Sequence, residues 1–309
     1  MKYITHGKFF AMESGVVNTQ TMKPGFFLTT VALTFLSACN NPSTSPSSGT
    51  DTMTSTSDSA RKETARAPSL KEQDVTYTAN GVTMDGYVVY DTNKEGKRPA
   101  VLVVPEWWGL VDYPKMRARK LAELGYIAMA IDMFGNGKIA ETPGDAMKAT
   151  GPFYNDLKMT KSRFDAALAK LKTFSQADTS NIAAIGYCFG GGVVLNVARL
   201  GDDLKGVVSF HGSLIGAPAK KDLLKAKILV CHGMADSLVK PDQVVKFKKQ
   251  MDSIGADYTF KQYPNATHAF TNPASDANGE KFKMPVKYNA EADAASWNDM
   301  KDFFARIFK

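Results

Sequence analysis

The stretch Gly186-Tyr187-Cys188-Phe189-Gly190-Gly191-Gly192 follows a short apolar run, Ile182 to Ile185, and precedes a second, Val193 to Leu200. Strand, Gly-x-Cys-x-Gly, helix is the pattern of a nucleophile elbow. That turn is so sharp that small residues must stand two before and two after the nucleophile. Gly186 and Gly190 are those residues, and Cys188 stands where most such turns carry serine. A helix starting just beyond aims its free N–H groups and the positive end of its dipole at the sulfur. This favours negative charge on the sulfur and on any oxyanion formed beside it. A buried cysteine in a glycine-rich turn has the same local pattern, so the choice rests on the rest of the chain.

Working outward, Val75–Thr78 and Met84–Tyr90 read as strands around an Asn80-Gly81 turn, a hairpin signal. Ala100 to Val104 is a continuous apolar run, as in a strand buried on both faces. Pro114 to Leu124 has helical spacing and ends at Gly125; Tyr126 to Ile131 is the next buried strand. Asp156 to Phe174 is a long amphipathic helix, and Val193 to Leu200 is the helix leaving the elbow. Gly206–Phe210, Ile228–Cys231 and Tyr258–Tyr263 are further strands, with helices over Pro241–Ile254 and Ala290–Phe308. Strands alternating with helices predict an α/β fold with a mostly parallel sheet covered on both faces, in one domain over residues 71–309. Thr142 to Asn155, rich in Gly and Pro, reads as the least regular part and as a flank of the site.

In an open parallel sheet, ligands bind at the carboxyl ends of the strands. The polar residues just after predicted strands are therefore the candidates. Cys188 is one; Asp236 follows Ile228–Cys231, and His268 follows Tyr258–Tyr263. Nucleophile, acid, histidine is the chain order of the α/β-hydrolase triad. His268 would take the thiol proton and protonate the leaving group, while Asp236 would hold the imidazole in the right tautomer. Glu106 follows Val101–Val104 and is a candidate carboxylate at the pocket rim. The N–H of Phe189 and one from the Glu106–Trp108 turn would form the oxyanion hole. Trp107 and Trp108 would flank the pocket, and His211 would either line it or brace its loop. The chain has four histidines with no paired ligand spacing, so neither a metal nor another cofactor is expected.

These motifs resemble the dienelactone hydrolase family. The likeness runs from about Asp74 to Lys309 and rests on four segments: Val104-Pro105-Glu106-Trp107-Trp108-Gly109-Leu110, Gly186-Tyr187-Cys188-Phe189-Gly190-Gly191, His232-Gly233-Met234-Ala235-Asp236, and Tyr263-Pro264-Asn265-Ala266-Thr267-His268-Ala269-Phe270. The resemblance implies an α/β-hydrolase fold and a triad of Cys188, Asp236 and His268. It implies that Glu106 keeps the resting thiol neutral through a hydrogen bond, and that the N–H groups of Trp107 and Phe189 form the oxyanion hole. The implied reaction is hydrolysis of a small ester or enol-lactone through a thioester. The family grips its substrate carboxylate with arginines. One of them comes from the loop that here reads Asp132-Met133-Phe134-Gly135-Asn136-Gly137-Lys138, which has no arginine. Lys138 could stand in as a point charge without the bidentate fork. That departure leaves a second reading, a binding lipoprotein on a hydrolase scaffold without turnover.

The N-terminal part reads differently. From Met22, a short basic segment, the apolar run Phe26–Leu36 and then Leu36-Ser37-Ala38-Cys39 make a secretory signal. Leu-Ser-Ala-Cys looks like a bacterial lipobox, so residues 1–39 are expected to be a signal peptide, with Met22 as the expected true start and Cys39 as the lipidated residue. Residues 40–70 are Ser/Thr/Pro-rich and lack the large apolar side chains needed for a core, which makes them a linker. Localisation in the bacterial cell envelope, anchored to a membrane through Cys39, follows. Residues 1–39 hold three lysines and one glutamate; without them the net charge falls from +7 to +5. Those charges are spread along the chain, which is not a nucleic-acid footprint. The expected partner is a small-molecule substrate, and the expected state is a monomer. Cys188 and Cys231 are too few for a disulfide framework.

Overall fold

The strands β1 (Leu70–Ala79) and β2 (Val82–Asp91) pair antiparallel across Asn80 and Gly81, whose φ angles are +52° and +74°. Both central residues of a tight hairpin turn need positive φ, which is why Asn-Gly was a legible signal. The computed structural model to which these elements belong describes residues 66–309. The signal peptide, Cys39 and nearly all of the linker lie outside the described residues.

The following elements are β3 (Arg98–Val104), α1 (Asp112–Glu123), β4 (Ile127–Ala130), α2 (Pro143–Asn155), α3 (Leu157–Lys172), β5 (Ala177–Tyr187), α4 (Phe189–Arg199) and β6 (Gly206–Phe210). The chain ends with β7 (Lys227–Gly233), α5 (Pro241–Ser253), β8 (Tyr258–Tyr263), α6 (Ser275–Phe282) and α7 (Ala290–Ile307). The strands form one sheet in the order β1-β2-β4-β3-β5-β6-β7-β8. The pairings β1–β2 and β2–β4 are antiparallel, and all others are parallel. The continuous apolar run Ala100–Val104 is fully buried in the middle of the sheet, as a strand covered on both faces must be. On one face, Phe164 and Leu171 of α3, Val194 of α4 and Met251 of α5 pack on the sheet. On the other, Leu121 of α1 and Phe303 and Phe304 of α7 do so.

The segment from Thr142 to Asn155 is a helix, not irregular chain. Thr142 caps it by accepting the Asp145 N–H at 3.2 Å, Pro143 occupies the first turn, and Ala146, Thr150 and Phe153 turn inward. A capping side chain and a proline at the helix start, with an apolar inner face, outweigh Gly144, Gly151 and Pro152. The short helix α6 was not anticipated either. Only Ser275 of its eight residues is buried, so it has no apolar stripe to read.

Candidate active site

Cys188 lies between β5 and α4 with φ +51° and ψ −111°, a backbone conformation rarely adopted by a residue with a side chain. The surroundings enforce it. A Cβ on Gly186 would run into the carbonyl of Gly190, and one on Gly190 into the carbonyls of Val104 and Pro105. The Gly190 N–H donates to the Pro105 carbonyl at 3.1 Å, which ties the elbow to the end of β3. The turn therefore presents the sulfur at the carboxyl end of the sheet, at the first turn of α4.

The loops after β7 and β8 meet beside it. Met234 N–H donates to the Tyr263 carbonyl and Ala235 N–H to the Ala266 carbonyl, both at 2.9 Å. This lacing brings Asp236 to His268. Asp236 Oδ2 lies 2.9 Å from His268 Nδ1, and His268 Nε2 lies 3.1 Å from Cys188 Sγ. Asp236 Oδ1 accepts the N–H groups of Leu238 and Val239 at 2.8 and 3.1 Å. Burial would raise the Asp236 pKa, but the His268 hydrogen bond and charge and these two N–H groups hold it below the usual carboxylate range. Burial works against a charged imidazole at His268 too, yet the adjacent Cys188 and Asp236 push its pKa well above the usual histidine range.

Glu106 is 3% exposed and lines the same cavity. Its Oε2 accepts the Asn272 side-chain N–H at 2.6 Å, while Oε1 is buried with no partner among the described residues. Burial pushes its pKa up to about 7, against the opposing effects of Asn272, His268 and Arg117. The resemblance implies a hydrogen bond from Glu106 to the resting thiol. In the structure the thiol instead faces His268, and the carboxylate is held by Asn272. Phe189, as the first residue of α4, has no carbonyl within its helix for its N–H. Neither it nor the Trp107 N–H meets a backbone acceptor elsewhere among the described residues. Both residues line the cavity.

Two candidates for the pocket lining stand elsewhere. Of the two roles open to His211, the structure gives bracing, not lining. Its buried ring sits behind the elbow, where Nδ1 accepts the Cys188 N–H at 3.1 Å and Nε2 meets Thr271 Oγ1 at 2.7 Å. An acceptor at Nδ1 puts the ring proton on Nε2. Burial first, then the charges of His268 and Arg117, hold its pKa well below the usual range and keep it neutral. Lys138 is exposed and borders a different cavity, with Phe134, Ile139 and Lys148. The reason is local. Asp132 closes its loop by accepting the N–H groups of Phe134, Gly135 and Gly137 at 2.8, 2.9 and 3.2 Å, so the loop turns back before it reaches the thiol.

The cavity over Cys188 measures about 500 Å³. Trp108 does line it, stacked on Phe282 of α6 at 5.9 Å and edge-on to Trp107 at 5.2 Å. Its other walls come from Pro143, Met147 and Tyr154 of α2, Ile215 after β6, Leu238 after β7, and Met284 to Val286 after α6. The α2 residues fall in the segment Thr142 to Asn155 expected to flank the site; Ile215, Leu238 and Met284 to Val286 were not anticipated. Among the described residues, no cluster of three or more His, Cys, Asp and Glu is arranged to hold a metal ion.

The eight-stranded, mostly parallel sheet with a tight strand-to-helix turn at the floor of a cavity defines an α/β-hydrolase. A family model described as the dienelactone hydrolase family matches residues 84–308. Protein usf of Aquifex pyrophilus is 31% identical over 205 residues, 65% of this chain and 87% of the relative. A Methylorubrum extorquens protein, named provisionally as a carboxymethylenebutenolidase, is 27% identical over 220 residues, 68% of this chain and 72% of the relative. A dienelactone hydrolase-like promiscuous phosphotriesterase from metagenomic libraries superposes with a TM-score of 0.72 at 33% identity, covering 77% of this chain and 98% of its own. The chain belongs to the dienelactone hydrolase family and is a hydrolase.

Proposed function

We propose that the chain hydrolyses small esters or enol-lactones through a thioester on Cys188, while tethered to a membrane of the bacterial cell envelope through lipid on Cys39. His268 takes the thiol proton, and Asp236 steadies the imidazolium that forms. The sulfur attacks the carbonyl carbon, and the N–H groups of Trp107 and Phe189 receive the negative charge on its oxygen. The tetrahedral species collapses to a thioester as His268 protonates the departing alkoxide. Water then attacks the thioester with His268 as base, releasing the acid and restoring the thiol. Glu106, buried on the same cavity, is a second proton acceptor whose exchange falls near neutral pH.

The observation that carries this reading is the row Cys188–His268–Asp236, with links of 3.1 and 2.9 Å at the cavity floor. The test is p-nitrophenyl acetate and simple lactones with the wild type and Cys188→Ala. The variant is expected to lose roughly a thousandfold or more in kcat; equal rates from the two proteins would sink the proposal. Iodoacetamide should block activity by modifying Cys188 and leave Cys231 untouched. Cys231 is buried, and burial pushes its thiol pKa up to about 12.

A further inference from the structure

The charge of the cavity over Cys188 is unusual in one respect. Among the described residues its charged lining groups are Glu106 and His268, both already part of the chemistry, and no described lysine or arginine lines it. Lys138 and Lys148 border a second cavity and Lys246 a third, and Arg117 is buried against Asp293 at 2.6 Å. The remaining polar lining consists of the neutral side chains Ser213, Gln243, Ser275 and Asn278.

The mouth is equally one-sided. Nine large apolar side chains are exposed among the described residues, and Met147, Tyr154, Ile215 and Leu238 are four of them. All four stand on this cavity, at 61%, 51%, 63% and 51% exposure. Single exposed apolar residues need no explanation, but a cluster around one opening marks a place where apolar matter is taken up.

We infer that the cavity takes uncharged esters carrying a bulky aliphatic or aromatic group, and rejects esters that carry a carboxylate. This rests on the hydrolase reading for the fate of the ester but not for its binding. A carboxylate entering the cavity would exchange its water for apolar walls with no lysine or arginine to meet it; His268 is already paired with Asp236 at 2.9 Å, and Glu106 faces the newcomer. An aliphatic or aromatic group would cover the exposed side chains at the mouth and stack on Trp108.

The test separates binding from turnover. Full-length Cys188→Ala is titrated at pH 8 with methyl 4-phenylbutyrate and with 4-phenylbutyrate anion, following the fluorescence of Trp107 and Trp108. The neutral ester is expected to bind with a Kd lower on the order of 100-fold; equal or tighter binding of the anion overturns the inference. In the same protein, Met147→Arg, which places a cation at the exposed mouth, should narrow the gap by roughly tenfold. An unchanged ratio there overturns the charge argument. Wild-type kcat/KM is then compared for p-nitrophenyl butyrate and mono-p-nitrophenyl succinate. Equal turnover of both refutes the inference and leaves the hydrolase reading standing. A binding preference without turnover of either ester does the reverse.

Discussion

Glu106 and Cys188 illustrate how differently neighbouring groups on one cavity are held. The thiol sits at the end of a short relay, while among the described residues the carboxyl has one partner, Asn272, and one oxygen with none. Burial raises the Glu106 pKa from 4.5 to about 7. Between those values the folded chain keeps a proton that the unfolded chain has released, so stability falls as pH rises from about 4.5 to about 7. The full loss is on the order of 3 kcal/mol. Glu106→Gln keeps an acceptor for Asn272 and cannot ionise. Its Tm relative to wild type should therefore be higher at pH 8 than at pH 5, by roughly 5 °C or more. A Tm difference that is the same at both pH values would mean that Glu106 is not the group that titrates. Sequence reasoning reached Glu106, Asp236 and His268 because each follows a recognisable strand. It could not reach Asn272, which meets Glu106 from 166 positions away, and it left His211 open between lining and bracing, which the bond from the Cys188 N–H decides for bracing.

The elements divide into those that carry a pattern and those that do not. Buried strands such as Ala100–Val104 and Val207–Phe210 announce themselves as apolar runs, because both faces of a parallel sheet are covered. The helix α2 hides behind Gly144, Gly151 and Pro152, and is held by its Thr142 cap and three inward side chains. Removing the cap in Thr142→Ala should cost about 1 kcal/mol and lower the Tm by about 3 °C. Since α2 supplies cavity wall and none of the reacting groups, KM should rise with kcat nearly unchanged. Steady-state kinetics check this; an equal fall in kcat and kcat/KM would show that α2 acts on the reacting groups instead. Beyond Trp107, Trp108 and the segment that holds α2, the individual wall residues were illegible for a simple reason. They are single residues from α2, α6 and three loops, which share a cavity but no periodicity.

For the molecule as a whole, the sequence pattern led directly to the α/β-hydrolase class, since the order nucleophile, acid, histidine is a property of the sheet's connectivity. The described residues contain no helix long and apolar enough to cross a membrane. Attachment therefore rests in this proposal on Cys39, outside the described residues. In a bacterial host supplied with labelled palmitate, the full chain should take up label and enter the detergent-rich phase. Cys39→Ser should do neither, while any protein made should keep its esterase activity. Label on the serine variant would place the acyl chain elsewhere.

The division of labour between sheet and walls has a consequence for substitution. The relay hangs on strand ends whose register is set by hydrogen bonding across the sheet, and a Cβ at Gly186 or Gly190 would already collide with backbone. The cavity's outer walls stand on α2, α6 and exposed loop positions such as Ile215 and Leu238, where a replacement disturbs little else. A cavity built this way can be reshaped at its walls, one residue at a time, while the backbone that holds the relay stays as it is.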